Sequence, residues 1–191
     1  LAVMGLLSEE AQVSEGSIRL NGQELLGMSR EERRKIQGRN MSMIFQDCGG
    51  TLNPIRRIGS QFVEYIRIHT DISKQEAWDK ARSMLEKMRL PDSENIMKSY
   101  PHQLSGGMRQ RVGIAIAMTF NPELLLADEP TGALDSRTGH EVLGFLQQLN
   151  KEGSTVILIT HDNGIAATAR RIVRIADGKI IEDHPQEVNW Y

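Results

Sequence analysis

The stretch Leu124-Leu125-Leu126-Ala127-Asp128-Glu129-Pro130 (LLLADEP) sets an unbroken apolar run directly against two carboxylates. A continuous apolar run that begins shortly after Asn121-Pro122 and stops at charged residues is typical of a parallel strand buried on both faces. We therefore expect a buried strand here, with Asp128 and Glu129 at its carboxyl end.

Helices and strands alternate on both sides of this strand. Apolar residues at helical spacing predict helices over Met108–Phe120 and Thr138–Asn150, and Thr155–Thr160 (TVILIT) again reads as a buried strand. A further helix over Gly164–Ala169 and a strand over Ile172–Ala176 complete the alternation. This order predicts an α/β fold with a mostly parallel sheet covered by helices. After the Asp177-Gly178 turn, Lys179–Glu182 predicts an antiparallel hairpin partner.

The first half of the chain adds two smaller units. Ser17–Leu20 followed by Asn21-Gly22 predicts a small antiparallel β element, and Met41–Gln46 predicts another strand. Apolar spacing over Gly59–Ser99 predicts a helical subdomain, in which Ser73 and Glu76 form a capping box.

The overall composition excludes several classes of protein. The 191 residues carry a net charge of −2 and a pI near 6.2, so no nucleic-acid partner is expected. Cys48 is the lone cysteine, which rules out an internal disulfide and favours a cytosolic setting. The longest apolar run, Val112–Met118, is too short to cross a bilayer, and we expect any membrane role to be peripheral. The N-terminal region also contains a basic cluster, which we expect to be the solvated face of a helix and to which we assign no function. It comprises Arg30, Arg33, Arg34, Lys35 and Arg39.

Polar side chains follow three of the predicted strands at the point where each ends. Asp128 and Glu129 follow one, His161 follows the second, and Gln46 ends the third. Ligands of open parallel sheets bind beyond the carboxyl ends of the strands. Adjacent residues on a strand face opposite sides, so one carboxylate can hold Mg²⁺ while the other faces a water molecule. The sequence thus predicts a metal and phosphate site at this edge.

Two adjacent glycines precede the helix that leads into Leu124. Ser105-Gly106-Gly107 leaves the first N–H groups of that helix uncovered, and these groups favour an anion. Ser105 adds a hydroxyl, and the glycines let a phosphate approach the backbone. A plain serine cap followed by flexible glycines is the alternative.

Together these stretches resemble the ATP-hydrolysing subunits of ABC transporters. Leu104–Arg111 resembles their signature motif, Leu124–Pro130 their Walker B strand and Gly132–Asp135 their D-loop. Thr160–Asp162 is similar to the switch-histidine segment and Phe45–Asp47 to the Q-loop. The resemblance implies a P-loop NTPase-like fold, with ATP and Mg²⁺ as ligands.

The resemblance also implies a role for each site residue. Glu129 would orient or deprotonate the attacking water, His161 would steady the γ-phosphate and Gln46 would sense it. Asp128, with Gln46, would hold Mg²⁺. Ser105, Gly106 and Gly107 would bind the nucleotide held by a second ATPase subunit, and Asp135 would join the two sites.

Within the family, Met43–Asp47, Leu52–Pro54 and Tyr100–Gln103 resemble the ATPase subunits of oligopeptide, dipeptide and nickel importers. In contrast, Pro130–Ser136 looks more like lipoprotein-release or macrolide-export ATPases. Import of peptides or nickel is the leading hypothesis. An exporter, a soluble ABC protein of translation or DNA repair, and a noncatalytic interaction module are the alternatives.

The importer reading implies the partners and the organisation of the chain. The partners are a second ATPase subunit, transmembrane permease subunits and, indirectly, a substrate-binding receptor, at the cytoplasmic face of the membrane. Residues 1–191 form a single partial ATPase domain. It divides into a remnant (1–47), a helical subdomain (48–99) that receives the permease, and a core (100–191).

No Gly-x-x-x-x-Gly-Lys-Ser/Thr loop occurs in the sequence, although Gly178-Lys179 matches its glycine-lysine pair. In the family this loop lies directly before a helix, and Leu1–Leu7 resembles the remnant of that helix. We therefore expect that the loop is missing because the sequence is truncated. We expect these 191 residues alone neither to bind ATP tightly nor to hydrolyse it.

Overall fold

The computed structural model describes residues 2–7, 11–132 and 134–186, with the backbone alone at Cys48 and Gly49. The Cys48 thiol, Leu1 and Ala133 therefore lie outside the described residues. In chain order the elements are β1 (Arg19–Leu20), β2 (Gln23–Glu24), α1 (Arg30–Ile36), β3 (Met41–Ile44), α2 (Ile58–Ile68), α3 (Lys74–Lys87), α4 (Ser93–Lys98), α5 (Gly106–Ala117), β4 (Leu124–Asp128), α6 (Ser136–Lys151), β5 (Thr155–Ile159), α7 (Asn163–Ala166), β6 (Arg171–Ala176) and β7 (Lys179–Pro185).

The central sheet has three parallel strands in the order β3-β4-β5. Leu125 and Ala127 on β4 are fully buried, and they pack in the main core with Val112 of α5 and Val142 of α6. This confirms the α/β fold and the prediction of a buried strand at LLLADEP. The antiparallel pair β1–β2 around Asn21-Gly22 is also present.

The prediction that Thr155–Thr160 is buried on both faces is wrong. Val156 and Leu158 pack against the main core, but Ile157 is 43% exposed and Ile159 is 48% exposed. β5 lies at one end of the sheet, and the exposure of these two side chains shows that the described part of the chain leaves its second face uncovered. A continuous apolar sequence predicts a strand that is buried on both faces only if other elements cover both faces of that strand.

The strand over Ile172–Ala176 does not join the parallel sheet, which corrects a second prediction. In the described structure β6 pairs only with β7, antiparallel, across the Asp177-Gly178 turn. The hairpin itself was predicted correctly.

The predicted helical subdomain contains three helices that pack on one another: α2, α3 and α4. Phe62 and Ile66 of α2 are fully buried. The capping box at Ser73 and Glu76 is present and starts α3. The buried residues of these helices belong to the same core cluster as β4 and α6, so residues 48–99 share a core with residues 100–191.

Residues 2–5 form a turn, and Leu1 of the predicted helix remnant lies outside the described residues. Gly5 N–H donates to the Ala2 carbonyl at 3.0 Å, which closes the turn. Arg33 donates to the carbonyls of Val3 at 3.1 Å and Leu25 at 2.6 Å, so this arginine holds the N-terminal chain. The other predicted members of the basic cluster carry no such contact that the structure describes, and α1 has no buried residue.

A second, smaller core lies on the opposite face of the sheet. It joins Met4 and Leu25 to Met41, Leu124 and Leu126. Across the ranges described, each helix is too short or too polar to cross a membrane.

Candidate functional site

The carboxyl ends of the three parallel strands meet at one edge of the sheet. Ile44 pairs with Ala127, and Asp128 pairs with Ile159, so the strands end side by side. Gln46 follows β3, Asp128 and Glu129 end and follow β4, and His161 follows β5. The structure thus brings the predicted strand-end residues to the same edge.

Glu129 and His161 are in direct contact. Glu129 Oε1 accepts from the His161 ring Nδ1 at 2.6 Å and from the His161 backbone N–H at 2.7 Å. Its second oxygen, Oε2, accepts from the Thr160 hydroxyl at 3.1 Å. The Glu129 side chain is 16% exposed, whereas the His161 side chain is 90% exposed. The carboxylate is therefore fixed beneath an imidazole that faces outward.

These contacts set the charge of Glu129. Burial raises its pKa, but the hydrogen bonds from His161 and Thr160 outweigh burial, and the pKa lies below its ordinary value. Glu129 is accordingly a carboxylate at neutral pH, able to accept a proton or to orient a water molecule.

The backbone at Glu129 is in the left-handed region, with φ of 43°. Residues other than glycine rarely adopt this conformation, and strain of this kind clusters at functional sites. Two hydrogen bonds hold it: Glu129 N–H donates to the Ile159 carbonyl at 2.9 Å, and Gly132 N–H donates to the Glu129 carbonyl at 3.1 Å. The turn after β4 thereby aims the carboxylate at His161.

Asp128 and Gln46 place a carboxylate and an amide at the same edge. Asp128 is half-buried as the last residue of β4, and Gln46 is exposed in the turn after β3. The described residues contain no group of three or more His, Cys, Asp or Glu that could hold a metal ion unaided. One carboxylate and one amide do fit Mg²⁺ shared with a phosphate, since this ion usually binds through one or two carboxylates together with substrate oxygens.

The Ser105-Gly106-Gly107 segment starts α5, which begins at Gly106, two residues before the predicted start at Met108. Ser105 caps the helix, because its hydroxyl accepts from the Met108 N–H at 3.2 Å. Among the described residues, a Cβ at Gly106 would meet nothing within 4 Å, and one at Gly107 would meet only Leu134, at 3.7 Å. The helix start is therefore open on the glycine side. The described contacts place it next to Leu134, in the loop before α6.

Asp135 has a structural role in the described chain. It caps α6 by accepting from the Thr138 N–H at 3.0 Å and the Thr138 hydroxyl at 2.8 Å. These hydrogen bonds lower its pKa. Asp135 also lines a polar cleft of about 440 Å³.

Gln110 is a positioning residue that the sequence did not single out. Its side chain is 1% exposed, and Nε2 donates to the carbonyls of Phe45 at 3.5 Å and Pro130 at 3.4 Å. One amide thus ties the segment before Gln46 to the segment after Glu129. The only sequence feature that could have indicated a buried side chain here is that Gln110 lies one helical turn before the apolar residue Ile114.

A protein-family model described as "ABC transporter" matches residues 2–132. The chain belongs to the ABC transporter family. The oligopeptide transport ATP-binding protein of Salmonella typhimurium is 42% identical over 87% of this chain and 50% of its own length. The corresponding protein of Bacillus subtilis is 41% identical over 96% of this chain and 57% of its own length. The dipeptide transport ATP-binding protein of Lactococcus lactis is 40% identical over 99% of this chain and 55% of its own length.

This chain spans about half the length of the curated relatives it matches. Two solved structures share its fold with a TM-score of 0.80. One is an ATP-binding cassette dimer in a post-hydrolysis state bound to ADP and Pi, at 28% identity. The other is a dimeric bacterial ABC transporter cassette, at 29% identity. Each match covers 90% of this chain and 74% of the other one.

Proposed function

We propose that the protein containing these residues hydrolyses ATP at the edge formed by β3, β4 and β5. The observation that carries this proposal is the contact between Glu129 and the His161 ring, at 2.6 Å. It sets a carboxylate and an exposed imidazole together at the carboxyl ends of parallel strands, where α/β proteins bind their ligands.

Glu129 acts on the attacking water. Its lowered pKa keeps it ionised, and three hydrogen bonds fix its two oxygens. A fixed carboxylate orients the water and accepts its proton as the bond to phosphorus forms. Phosphoryl transfer depends mainly on this kind of positioning and on electrostatic stabilisation.

His161 steadies the γ-phosphate through its outer nitrogen, Nε2. Glu129 engages Nδ1, so Nε2 is the ring nitrogen left to face a phosphate oxygen. Gln46, exposed at the same edge, senses the phosphate through its amide.

Asp128 and Gln46 would hold Mg²⁺ together with the nucleotide. When bound, this ion neutralises charge that develops on the phosphate oxygens.

A second cassette supplies the other half of each site. The open side of Gly106 and Gly107 offers helix amides to the nucleotide bound by the partner subunit. Asp135, in the same region as Leu134, joins the two sites across the dimer. Support comes from the two dimeric cassettes that share this fold, one of them bound to ADP and Pi.

We further infer that hydrolysis powers the import of peptides. The relatives are named for oligopeptide and dipeptide transport. The surface of residues 48–99 receives the transmembrane permease subunits, and it exposes Ile55 by 82% and Ile68 by 58%. The assembly lies at the cytoplasmic face of the membrane, and a substrate-binding receptor delivers the peptide to the permease.

ATP turnover by the full-length protein tests the catalytic proposal. Glu129→Gln removes the proton acceptor but keeps the shape of the side chain. We expect turnover to fall by about 10²–10³-fold with ATP affinity retained. Glu152→Gln is the control, since Glu152 is exposed at the end of α6 and lies outside the edge; this variant should keep its activity. Near-normal turnover in Glu129→Gln would remove Glu129 from this role.

Peptide uptake into vesicles containing the full transporter tests the import proposal. Wild-type protein should drive ATP-dependent uptake of a labelled oligopeptide, and Ile55→Asp should reduce uptake more than it reduces basal ATP turnover. ATP-dependent efflux of the peptide, or no transport of it in either direction, would contradict peptide import.

A further inference from the structure

A polar cleft of about 440 Å³ lies between the end of α3, the middle of α5 and the start of α6. Each of these three places contributes one arginine to it. The described residues that line the cleft are Arg89, Arg111, Asp135, Arg137, Thr138 and Glu141. None of the four strand-end residues lines it, so the cleft is separate from the edge at which we place hydrolysis.

Arg111 is the half-buried arginine of the cleft. Its Nη1 donates to the carbonyls of Met88 at 3.4 Å and Arg89 at 3.3 Å. Its Nε is enclosed and has no hydrogen-bond partner among the described residues. Two long bonds to neutral carbonyls satisfy only part of a guanidinium, which offers N–H donors on several sides. The described part of the chain thus leaves this cation without a carboxylate.

The two carboxylates of the lining do not neutralise the three arginines. Glu141 Oε1 is shared, at 3.5 Å from Arg89 Nη1 and 3.8 Å from Arg137 Nε. Both oxygens of Asp135 accept hydrogen bonds from Thr138. Three positive charges against two negative ones leave one net positive charge in the lining. The start of α6 adds the positive end of a helix dipole to it.

The backbone at Arg89 is in the left-handed region, with φ of 51°. A helix commonly ends on such a residue, but the residue is usually glycine or asparagine. Leu90 N–H donates to the Leu85 carbonyl at 3.2 Å, which closes the end of α3. Non-glycine residues in this region are strained, and such strain clusters at functional sites. An arginine at this position places a guanidinium at the rim of the cleft.

We propose that this arginine-lined cleft binds a phosphate group, either as free inorganic phosphate or as a phosphate monoester. Guanidinium groups donate paired hydrogen bonds to phosphate oxygens. Arg111 is held against the end of α3 before the ligand arrives. The side chains of Arg89 and Arg137 are 70% and 90% exposed, and they close on the ligand from the rim. Binding requires neither the strand-end edge nor ATP hydrolysis.

A phosphate group matches this cleft better than a carboxylate does. Its oxygens point in several directions, so one group can accept hydrogen bonds from arginines on three sides, whereas a carboxylate is planar. A phosphate monoester also carries about 1.5 to 2 negative charges at neutral pH, which attracts the three guanidinium groups more strongly than a single charge. The cleft is larger than one phosphate requires, so the organic part of an ester fits as well.

Calorimetric titration of the full-length protein with inorganic phosphate, at constant ionic strength, tests the site. Arg89→Gln and Arg137→Gln should each weaken phosphate binding at least about tenfold, because each removes a charge-assisted hydrogen bond. Glu141→Gln should strengthen binding, because it removes a competing carboxylate. Acetate should bind at least about tenfold more weakly than phosphate.

Arg19→Gln is the matched control. Arg19 is 66% exposed and lies 3.4 Å from Glu24, which resembles the 70% and 3.5 Å of Arg89. Phosphate affinity should change less than about twofold in this variant. Arg137→Gln guards against misfolding, because its side chain is the most exposed of the three, and its circular dichroism spectrum should stay unchanged.

A parallel titration with glycerol 3-phosphate separates the two forms of the ligand, since the tighter of the two phosphates identifies which form the cleft selects. The proposal is overturned if phosphate does not bind, or if both arginine variants bind it with unchanged affinity. It is also overturned if His161→Ala abolishes phosphate binding while Arg137→Gln does not. That result would place the phosphate at the strand-end edge and would support the proposed function alone.

Discussion

Replacing Gln110 with alanine should destabilise the whole domain, because this buried amide ties together the ends of two strands. Gln110 is 1% exposed and donates to the carbonyls of Phe45 and Pro130 at 3.5 and 3.4 Å. Both bonds are long, so each contributes at the low end of the usual range, about 0.5–1 kcal/mol. The volume lost from a buried site adds about 1–2 kcal/mol.

These terms give a loss of about 2–4 kcal/mol in the free energy of unfolding. For a chain of this size that corresponds to a fall in Tm of roughly 4–16 °C. Urea titration followed by circular dichroism measures the change. Gln110→Leu restores most of the side-chain volume but lacks the hydrogen-bond donor. The loss of stability in this variant therefore measures the hydrogen bonds apart from the packing.

Gln148→Ala is the matched control. Gln148 is exposed and donates only to Glu152, at 2.8 Å, in the contacts described. Its replacement should change stability by no more than about 0.5 kcal/mol. An equally small loss in Gln110→Ala would show that the link between the two strand ends does not stabilise the domain.

Three further predictions concern the pH dependence, ligand binding and packing of the chain. Because the pKa of Glu129 is lowered from 4.5, its ionised form stabilises the fold above that pH, and this contribution is lost as pH falls through the folded pKa. The stability difference between wild type and Glu129→Gln should therefore be largest near neutrality and shrink below about pH 4.5 in urea titrations; a constant difference would contradict it. The 191 residues alone should show no micromolar ATP binding in calorimetry, since the phosphate loop motif is absent; micromolar affinity would overturn this. Phe62→Ala should cost about 3–5 kcal/mol of stability, because Phe62 is fully buried in the main core; a loss below about 1 kcal/mol would contradict the packing.

The central strand β4 could be predicted because its local sequence matches its burial in the fold. Helices cover one face of the LLLADEP strand and the small N-terminal core covers the other. Its apolar sequence therefore correctly predicts burial on both faces. TVILIT has the same composition, yet Ile157 and Ile159 are exposed. What covers a strand is a tertiary property that the strand's own residues do not encode.

The location of the site was predictable for a similar reason. Parallel strands end at a common edge, so Gln46, Asp128 and His161 are brought together by topology alone. The details depend on contacts distant in sequence. Three features join residues that no local sequence pattern connects. They are the left-handed turn at Glu129, the hydrogen bonds from Gln110 and the hydrogen bonds from Arg33 to the N-terminal chain.

A crystal structure of full-length Glu129→Gln with ATP and Mg²⁺ would show where the nucleotide binds, because this variant should bind ATP without hydrolysing it. We expect the γ-phosphate at the edge of β3, β4 and β5, beside position 129 and His161 Nε2, with the metal near Asp128 and Gln46. A nucleotide bound elsewhere, with these four side chains turned away from its phosphates, would contradict it.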